Sequence, residues 1–213
     1  AVLGATNAHG GAPETMLHRF EGAPTDGTNP ISLIAGSDGN LYGTSVGQLG
    51  VNSGTVFRLT PGGVLTNVYV FDGSGGLAPQ RLLEAPDGNF YGETYNGPSG
   101  SGTIFKLSPT GTLSTIYEFS ALGGSNMNSV GALPVGGLIQ ASDGNFYGVT
   151  QSGGPYSDGV AFKMTPGGTQ TVLHAFDRAT PGQGAVPWGP LVEGRDGNLY
   201  GTTQLGGDYR YGL

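Results

Sequence analysis

Cysteine is absent from the 213-residue sequence, and charged residues make up only 11% of it. Without cysteine the chain has neither disulfide bonds nor zinc–thiolate sites, and thiol catalysis is excluded. There are 8 Lys or Arg residues against 15 Asp or Glu, which gives a net charge of −7 at pH 7. This balance argues against nucleic acid as a partner, because phosphates need clustered cations, and equally against an anionic membrane surface.

Long apolar runs are also missing, since no segment approaches the ~20 residues that a transmembrane helix requires. What the sequence has in abundance is glycine, with 43 residues of 213, accompanied by 14 prolines. Such a composition is typical of disordered chains when the two residues are scattered. Here the glycines recur at fixed positions among apolar segments, which predicts turns in a folded β protein.

A seven-residue motif recurs four times and organises the chain. The copies read S-D-G-N-L-Y-G, P-D-G-N-F-Y-G, S-D-G-N-F-Y-G and R-D-G-N-L-Y-G. Their Asp residues, at positions 38, 87, 143 and 196, are separated by 49, 56 and 53 residues. This spacing is typical of the blades of β-propellers.

Each repeat predicts four strands, named a to d. A short apolar strand a precedes the Asp-Gly-Asn turn, which is a strong hairpin signal because Gly and Asn tolerate positive φ. Strand b follows the turn, and a variable loop leads to strand c, which twice reads G-T-[VI]-F-[KR]-L. A tight turn such as Pro-Gly-Gly then leads to strand d, an alternating β-branched and aromatic segment. Four such strands form one antiparallel blade.

The sequence therefore predicts an all-β, four-bladed β-propeller of four-stranded antiparallel blades, as a single domain over residues 1–213. Three blades span residues 31–72, 80–119 and 137–176, and the fourth combines residues 190–213 with residues 1–20. Pairing of the N- and C-terminal strands closes the ring in this arrangement and removes unpaired strand edges. A fragment of a larger ring is the alternative.

The repeated motifs resemble a known family. D-G-N-[FL]-Y-G, followed by G-T-[VI]-F-[KR]-L-[TS]-P and V-L-H-x-F-D, is similar to the GloVer-type tandem-repeat proteins, which are bacterial extracellular proteins described with a choice of anchor. The resemblance covers nearly the whole chain, although residues 1–8 depart from the pattern. It implies a secreted or surface-displayed propeller, and it brings no catalytic residues.

The repeated polar and aromatic residues are predicted to be structural. An Asp that caps its own turn explains all four copies, whereas a catalytic acid would be needed only once. His18 and His174 occupy the position of Tyr69 and Tyr117, which indicates a packed ring with a polar tip. The aromatic residues predicted to fill the space between blades are Tyr42, Tyr91, Tyr147, Tyr200, Phe57, Phe105 and Phe162.

Antiparallel geometry puts the b–c and d–a loops on one face of the ring, the loop face, and the short a–b and c–d turns on the other, the turn face. The loops are long and variable, and variable loops on a rigid scaffold commonly form binding surfaces. Exposed Tyr and Trp beside Asn and Asp suit sugar recognition. The candidate ligand-binding residues are Tyr95, Asn96, Tyr156, Asp158, Trp188, Tyr209, Arg210 and Tyr211, with Arg178 and Asp208 in the same loops.

A second candidate site is one position on strand a, occupied by Ala35, Glu84, Gln140 and Glu193. Strand a is the innermost strand of a blade. If this position faces inward, Glu84, Gln140 and Glu193 would ring the central channel and could hold a cation such as Ca²⁺. If it faces elsewhere, the same groups bond neighbouring backbone. No other metal or cofactor is expected.

We expect a secreted or cell-surface binding module that recognises a glycan or another surface protein through the loop face. One alternative is a carbohydrate-active enzyme, a polysaccharide lyase or hydrolase, that uses non-repeated carboxylates such as Asp158, Asp208 or Glu93. Such a site would need two carboxyl groups about 5–10 Å apart around one cleft. The other alternative is a structural spacer or self-assembling repeat.

Overall fold

The computed structural model describes residues 2–3, 16–22, 27–47, 53–123, 127–209 and 211–213. These residues form 18 β-strands, and none of them lies in a helix that could cross a membrane. At the N-terminal end, β1 (Val2–Leu3) and β2 (Met16–His18) pair with each other in an antiparallel two-stranded sheet.

Three four-stranded antiparallel sheets follow, each with its strands in chain order as predicted for a blade. Blade 1 consists of β3 (Pro30–Ala35), β4 (Leu41–Ser45), β5 (Thr55–Leu59) and β6 (Leu65–Val70). Blade 2 consists of β7 (Leu77–Glu84), β8 (Phe90–Asn96), β9 (Thr103–Leu107) and β10 (Leu113–Glu118). Blade 3 consists of β11 (Ala132–Gln140), β12 (Phe146–Ser152), β13 (Val160–Met164) and β14 (Gln170–Ala175).

The fourth repeat is a hairpin of interrupted strands. Its strand a comprises β15 (Gly184–Pro187) and β16 (Val192–Glu193), and its strand b comprises β17 (Leu199–Tyr200) and β18 (Thr203–Gly206). β15 pairs with β18, and β16 pairs with β17. The last residues return alongside β18, where the Thr203 amide donates a hydrogen bond to the Leu213 carbonyl.

The core lies between neighbouring blades, where the repeated aromatic residues meet. The Tyr42 ring lies 4.3 Å from the Phe90 ring, and Tyr91 lies at the same distance from Phe146. The side chains of Phe57, Phe105 and Phe162 are fully buried. Burying each of these rings stabilises the fold by roughly 1.5–3 kcal/mol, so the repeated aromatics are the main source of cohesion between blades.

The last glycine of the motif is required by this packing. A Cβ on Gly43 would lie 2.4 Å from Cζ of Phe57, and one on Gly92 would lie 2.5 Å from Cζ of Phe105. Any side chain at these positions would displace the buried ring of the adjacent strand. The motif therefore ends in Gly because strand b must pass directly beneath the phenylalanine of strand c.

The predicted closure of the ring is not found among the described residues. β1 and β2 form one sheet, and the strands of the fourth repeat belong to others. β2 packs instead on blade 1, where the Phe20 and Phe57 rings meet edge-on at 5.2 Å. The C-terminal hairpin stays open on its far side: Tyr200 is 55% exposed, whereas Tyr42, Tyr91 and Tyr147 are at most 9% exposed. The described residues thus form three complete blades, with one two-stranded sheet before them and two two-stranded sheets, those of the fourth repeat, after them.

Candidate functional site

The turn face is built from one hydrogen-bonded unit that recurs in every repeat. Asp196 accepts hydrogen bonds from the Asn198 amide at 3.1 Å and from the Tyr200 hydroxyl at 2.7 Å. These bonds, with that of the Tyr200 hydroxyl foremost, lower the pKa of Asp196 to about 2. The Asp residues of the other three repeats make the same two bonds. Each carboxylate is thus used in holding its own turn.

The two predicted structural histidines each pack against a neighbouring aromatic ring. The His18 ring meets the Phe20 ring edge-on at 5.2 Å, and the His174 ring meets the Phe176 ring at 4.8 Å. Tyr69 makes the same edge-on contact with the next aromatic residue of its strand, at 5.0 Å. The position therefore accepts either ring type in one geometry.

The polar position on strand a joins neighbouring repeats through their turns. Glu84 accepts hydrogen bonds from the amide and hydroxyl of Ser37, at 2.8 and 2.6 Å. Glu193 accepts the same pair from Ser142, at 2.9 and 2.6 Å. We call this pair of bonds the Glu–Ser clamp.

Gln140 differs because the preceding turn carries Pro86, which has neither an amide hydrogen nor a hydroxyl group. Its Nε2 donates instead to the Gly144 carbonyl of its own turn, at 2.9 Å. Its Oε1 is buried without a hydrogen-bond partner among the described residues. The identity of this residue thus follows from the turn beside it.

The polar groups at this position do not line the cavity between the a strands of the repeats. It has a volume of about 380 Å³, and Arg81 is the charged residue in its lining. Glu84, Gln140 and Glu193 lie outside that lining. The described residues also contain no group of three or more His, Asp or Glu that could hold a metal ion.

On the loop face, hydrogen bonds hold the loops at the first two boundaries between blades. Between blades 1 and 2, the Thr103 hydroxyl donates to the Gly75 carbonyl at 3.0 Å. Between blades 2 and 3, Asn128 Oδ1 accepts from the amides of Gly131 and Gly154, at 2.7 and 3.1 Å, and so joins the d–a loop to the b–c loop.

The third pair of loops is open. A cleft of about 580 Å³ lies between the d–a loop that follows blade 3 and the b–c loop of the fourth repeat. The two loops are joined at the base, where the Gly207 amide donates to the Gln183 carbonyl at 2.7 Å. The cleft is lined by Arg178, Ala179, Thr180, Pro181, Gly182, Leu205, Gly206, Gly207 and Asp208.

A buried carboxylate fixes Arg178 in this cleft. Asp158, only 3% exposed, accepts a hydrogen bond from Nε of Arg178 at 2.6 Å and another from its backbone amide at 2.7 Å. Nη2 of Arg178 is also paired with Oδ1 of Asp158. The hydrogen bonds to Asp158 raise the pKa of Arg178, whose side chain remains 56% exposed. Asp158 therefore orients the guanidinium and offers little of its own carboxylate to a ligand.

The rest of the d–a loop is held by Asp177. Its Oδ1 accepts the Ala179 amide at 2.9 Å, and its Oδ2 accepts the Thr180 hydroxyl at 2.7 Å. These bonds, that of the Thr180 hydroxyl foremost, lower the pKa of Asp177. Two carboxylates thus fix residues 177–180 before any ligand arrives.

The structure separates the sequence-predicted site residues into two groups. Tyr95 and Asn96 are half-buried, and the Tyr95 hydroxyl donates to Gln151 Oε1 of blade 3 at 3.1 Å. Four of the predicted aromatic residues are exposed, namely Tyr156, Tyr209 and Tyr211 of the loops and Trp188, which lies between β15 and β16 in the interrupted strand a of the fourth repeat. Of these, Tyr209 directly follows a cleft residue and Tyr211 pairs with Gly206 of the lining. The predicted residue Arg210 lies outside the described residues.

Sequence reasoning did not single out Thr180, Pro181 or Leu205. Loop length gives no signal for them, because the d–a loop between blades 2 and 3, residues 119–131, is longer than residues 176–183, which contain Thr180 and Pro181. The conformation of residues 176–183 depends on Asp158, which lies 20 residues earlier than Arg178.

The three carboxylates considered for catalysis lie in different surroundings. Asp208 is exposed in the cleft, Asp158 is buried beneath Arg178, and Glu93 is fully buried between blades 2 and 3. Oε2 of Glu93 accepts the Gly137 amide at 3.1 Å, and its Oε1 has no hydrogen-bond partner among the described residues. Burial raises the pKa of Glu93 to about 8.

Comparison with solved structures shows several similar folds at low sequence identity. One is a protein provisionally described as a gluconolactonase, 18% identical with a TM-score of 0.53. Another is the PQQ-bound aldose sugar dehydrogenase of Streptomyces coelicolor, 19% identical with a TM-score of 0.55. A third is a luciferin-regenerating enzyme, 12% identical with a TM-score of 0.51.

The matched regions cover 86%, 84% and 81% of this chain, but only 62%, 57% and 52% of those three chains. The chain thus spans little more than half the length of the structures that it matches. At these identities the likeness concerns the fold alone. Together with the four-stranded antiparallel sheets, it confirms an all-β, β-propeller-like architecture.

Among curated proteins, the sequence has no match. The profile of the Gloeobacter/Verrucomicrobia repeat matches residues 5–133, which is more than half of the chain. This match confirms the family resemblance expected from the D-G-N-[FL]-Y-G repeats. The chain belongs to the Gloeobacter/Verrucomicrobia repeat family.

Proposed function

We propose that this propeller-like chain is a binding module that works outside the cell or at its surface and recognises a glycan through the cleft beside Arg178. The observation that carries the proposal is the cleft of about 580 Å³ between the d–a loop after blade 3 and the b–c loop of the fourth repeat. Asp158 fixes the guanidinium of Arg178 in its lining. That volume is within the ~300–1,000 Å³ range of small-molecule sites.

The chemistry of the cleft suits a sugar. Arg178 supplies donors, Asp208 and the hydroxyl oxygen of Thr180 supply acceptors, and Leu205 offers an apolar surface for C–H groups. Tyr209, which adjoins the cleft, is 86% exposed and can pack its ring against a pyranose. A few polar groups converging on a partly apolar groove are what orient a small ligand.

The cleft is also preformed, which favours binding. Asp158 and Asp177 hold the d–a loop through bonds to Arg178, Ala179 and Thr180. A loop that is ordered in advance loses little conformational entropy when the ligand binds. The extracellular location is proposed from the resemblance to extracellular repeat proteins.

A glycan array followed by calorimetry tests this proposal. We expect at least one glycan to be retained, and Thr180→Ala and Leu205→Ala to weaken its binding roughly tenfold, as the loss of ~1.4 kcal/mol would. Val64→Ala on the turn face is the matched control, because Val64 is 62% exposed and lies far from the loops in the blade. Retention of no glycan, or equal binding by all variants, would overturn the proposal. Retention of a surface protein alone would assign the cleft to a protein partner instead.

A further inference from the structure

We infer that Asp208 makes the cleft selective for neutral glycans over glycans that carry carboxylates. This inference rests on the proposed function and names the ligand class of the same site. It follows from the different states of the two acidic residues near Arg178. Asp158 is buried and bonded, whereas Asp208 is exposed in the cleft.

The positive charge of Arg178 is already compensated by the buried carboxylate of Asp158. Three of its N–H groups point to Asp158: the backbone amide, Nε and Nη2. A guanidinium has five N–H donors in a fixed plane, so donors on Nη1 and Nη2 remain for a ligand. Because Asp158 neutralises the cation at close range, these donors provide hydrogen bonds without a net positive charge to attract an anion.

Asp208 makes no hydrogen bond or ion pair with any other described residue. Its Oδ1 lies 3.7 Å from the point that a Cβ on Gly182 would occupy, so the carboxylate faces the d–a loop across the cleft. An ionised carboxylate is an acceptor only. Asp158 and Asp177, in contrast, are both used in holding loop backbone.

The hydroxyl groups of a neutral glycan can satisfy both charged groups of the cleft. One can accept from the guanidinium of Arg178, and another can donate to the carboxylate of Asp208. A ligand carboxylate can only accept, so it would serve Arg178 but meet like charge at Asp208. Repulsion of this kind is a common means of rejecting a wrong ligand. The net charge of −7 acts in the same direction.

Asp208 is also a clean position to test, because its side chain supports no other described residue. Calorimetry with two hexasaccharides, one of neutral hexoses and one of hexuronic acids, measures the selectivity. We expect the wild-type chain to bind the neutral probe at least about tenfold more tightly. In Asp208→Asn, the neutral probe should bind roughly fivefold more weakly, because a charge-assisted bond is lost, and the uronate probe should bind more tightly.

The matched control is Asp72→Asn, which removes one charge from the loop face near the first loop pair. Its Oδ1 remains as an acceptor for the Ser74 amide. Selectivity in this variant should equal that of the wild type.

The two proposals fail separately. If no glycan binds the wild-type chain, the proposed function is wrong. If a glycan binds but the uronate probe is taken equally well, or if Asp72→Asn changes selectivity as much as Asp208→Asn, this inference is wrong and the binding function stands.

Discussion

The turn face and the loop face of this molecule are built on opposite plans. On the turn face every repeat uses the same bonds, with an Asp that receives an Asn amide and a Tyr hydroxyl. On the loop face each boundary between repeats is organised by a different residue. Asn128 joins two loops at one boundary, and Asp158 fixes the loop that lines the cleft at the next.

The difference shows where recurrence is informative. A residue present in every repeat serves something that every repeat needs, so its role can be inferred by comparing copies. A residue present once serves a local structure, and its role requires coordinates. Three predictions test this contrast, beginning with the largest expected effect.

The largest effect is expected at Glu93, a non-repeated carboxyl that belongs to neither face. Thr44 and Val149 occupy its position in blades 1 and 3. Its pKa is raised from 4.5 to about 8 by burial, so the unfolded chain releases this proton at lower pH than the folded chain does. The stability of the fold should therefore be highest below pH 4.5 on this account and fall by up to about 1.4 kcal/mol per pH unit until pH 8.

Glu93→Gln removes this titration and should abolish the fall. The free energy of unfolding, measured in urea between pH 5 and pH 9, should match the wild type at pH 5 and exceed it by a few kcal/mol at pH 8. Glu84→Gln is a suitable control, since Glu84 is only partly buried and receives two bonds from Ser37. A parallel pH dependence in the wild type and Glu93→Gln would contradict the prediction.

An intermediate effect is expected for Asp158→Ala on the loop face. It leaves Arg178 without its partner and should destabilise the fold by about 2 kcal/mol. This is less than for a fully buried pair, because the exposed guanidinium can be hydrated. Hydrogen exchange at the Arg178 amide should also accelerate. Asp72→Ala, which removes bonds only to Ser74, is the comparison and should have a smaller effect. Equal losses in the two variants would show that Asp158 has no special role.

The smallest effect is expected from completing the Glu–Ser clamp at the boundary between blades 2 and 3, where Pro86 meets Gln140. Pro86→Ser together with Gln140→Glu supplies the hydroxyl, the amide hydrogen and the carboxylate that this boundary lacks. The double variant should gain about 0.5–1 kcal/mol of coupling beyond the sum of the single variants, because the bonds are charge-assisted but solvent-accessible. Thermal unfolding of all four chains measures this coupling. Strict additivity would mean that the clamp contributes nothing.

Much of the scaffold could be predicted from sequence, because the repeats supply independent copies of one pattern. The strands of blades 1–3 and the role of the turn Asp residues follow from spacing and turn chemistry. The direction in which the Glu84 side chain points was harder to predict, because its partner Ser37 lies 47 residues away in the preceding repeat. Aligning strand a of each repeat with the a–b turn of the preceding repeat would have shown it, because Ser37 precedes Glu84 and Pro86 precedes Gln140 in this alignment.

Ring closure and the cleft could not be predicted in the same way. Closure of the ring depends on whether another strand covers Tyr200. The D-G-N-[FL]-Y-G motif reads the same whether its Tyr is covered or exposed. The cleft depends on the conformation of residues 176–183, which Asp158 holds from the loop between β12 and β13. Neither feature has a second copy in the chain against which to compare it.

The Glu–Ser clamp has a consequence for how such arrays are put together. In blades 2 and 3 and in the fourth repeat, strand a carries a polar residue that matches the a–b turn of the preceding repeat. A repeat therefore fits its predecessor better than it would fit another neighbour. Arg195 occupies the clamp position of the fourth turn, and Ala35 on blade 1 provides no acceptor for it. Moving one unit elsewhere in the series would separate matched partners and leave a proline facing a carboxylate. The hydrogen-bonding groups of turn and strand a thus restrict which units can be neighbours.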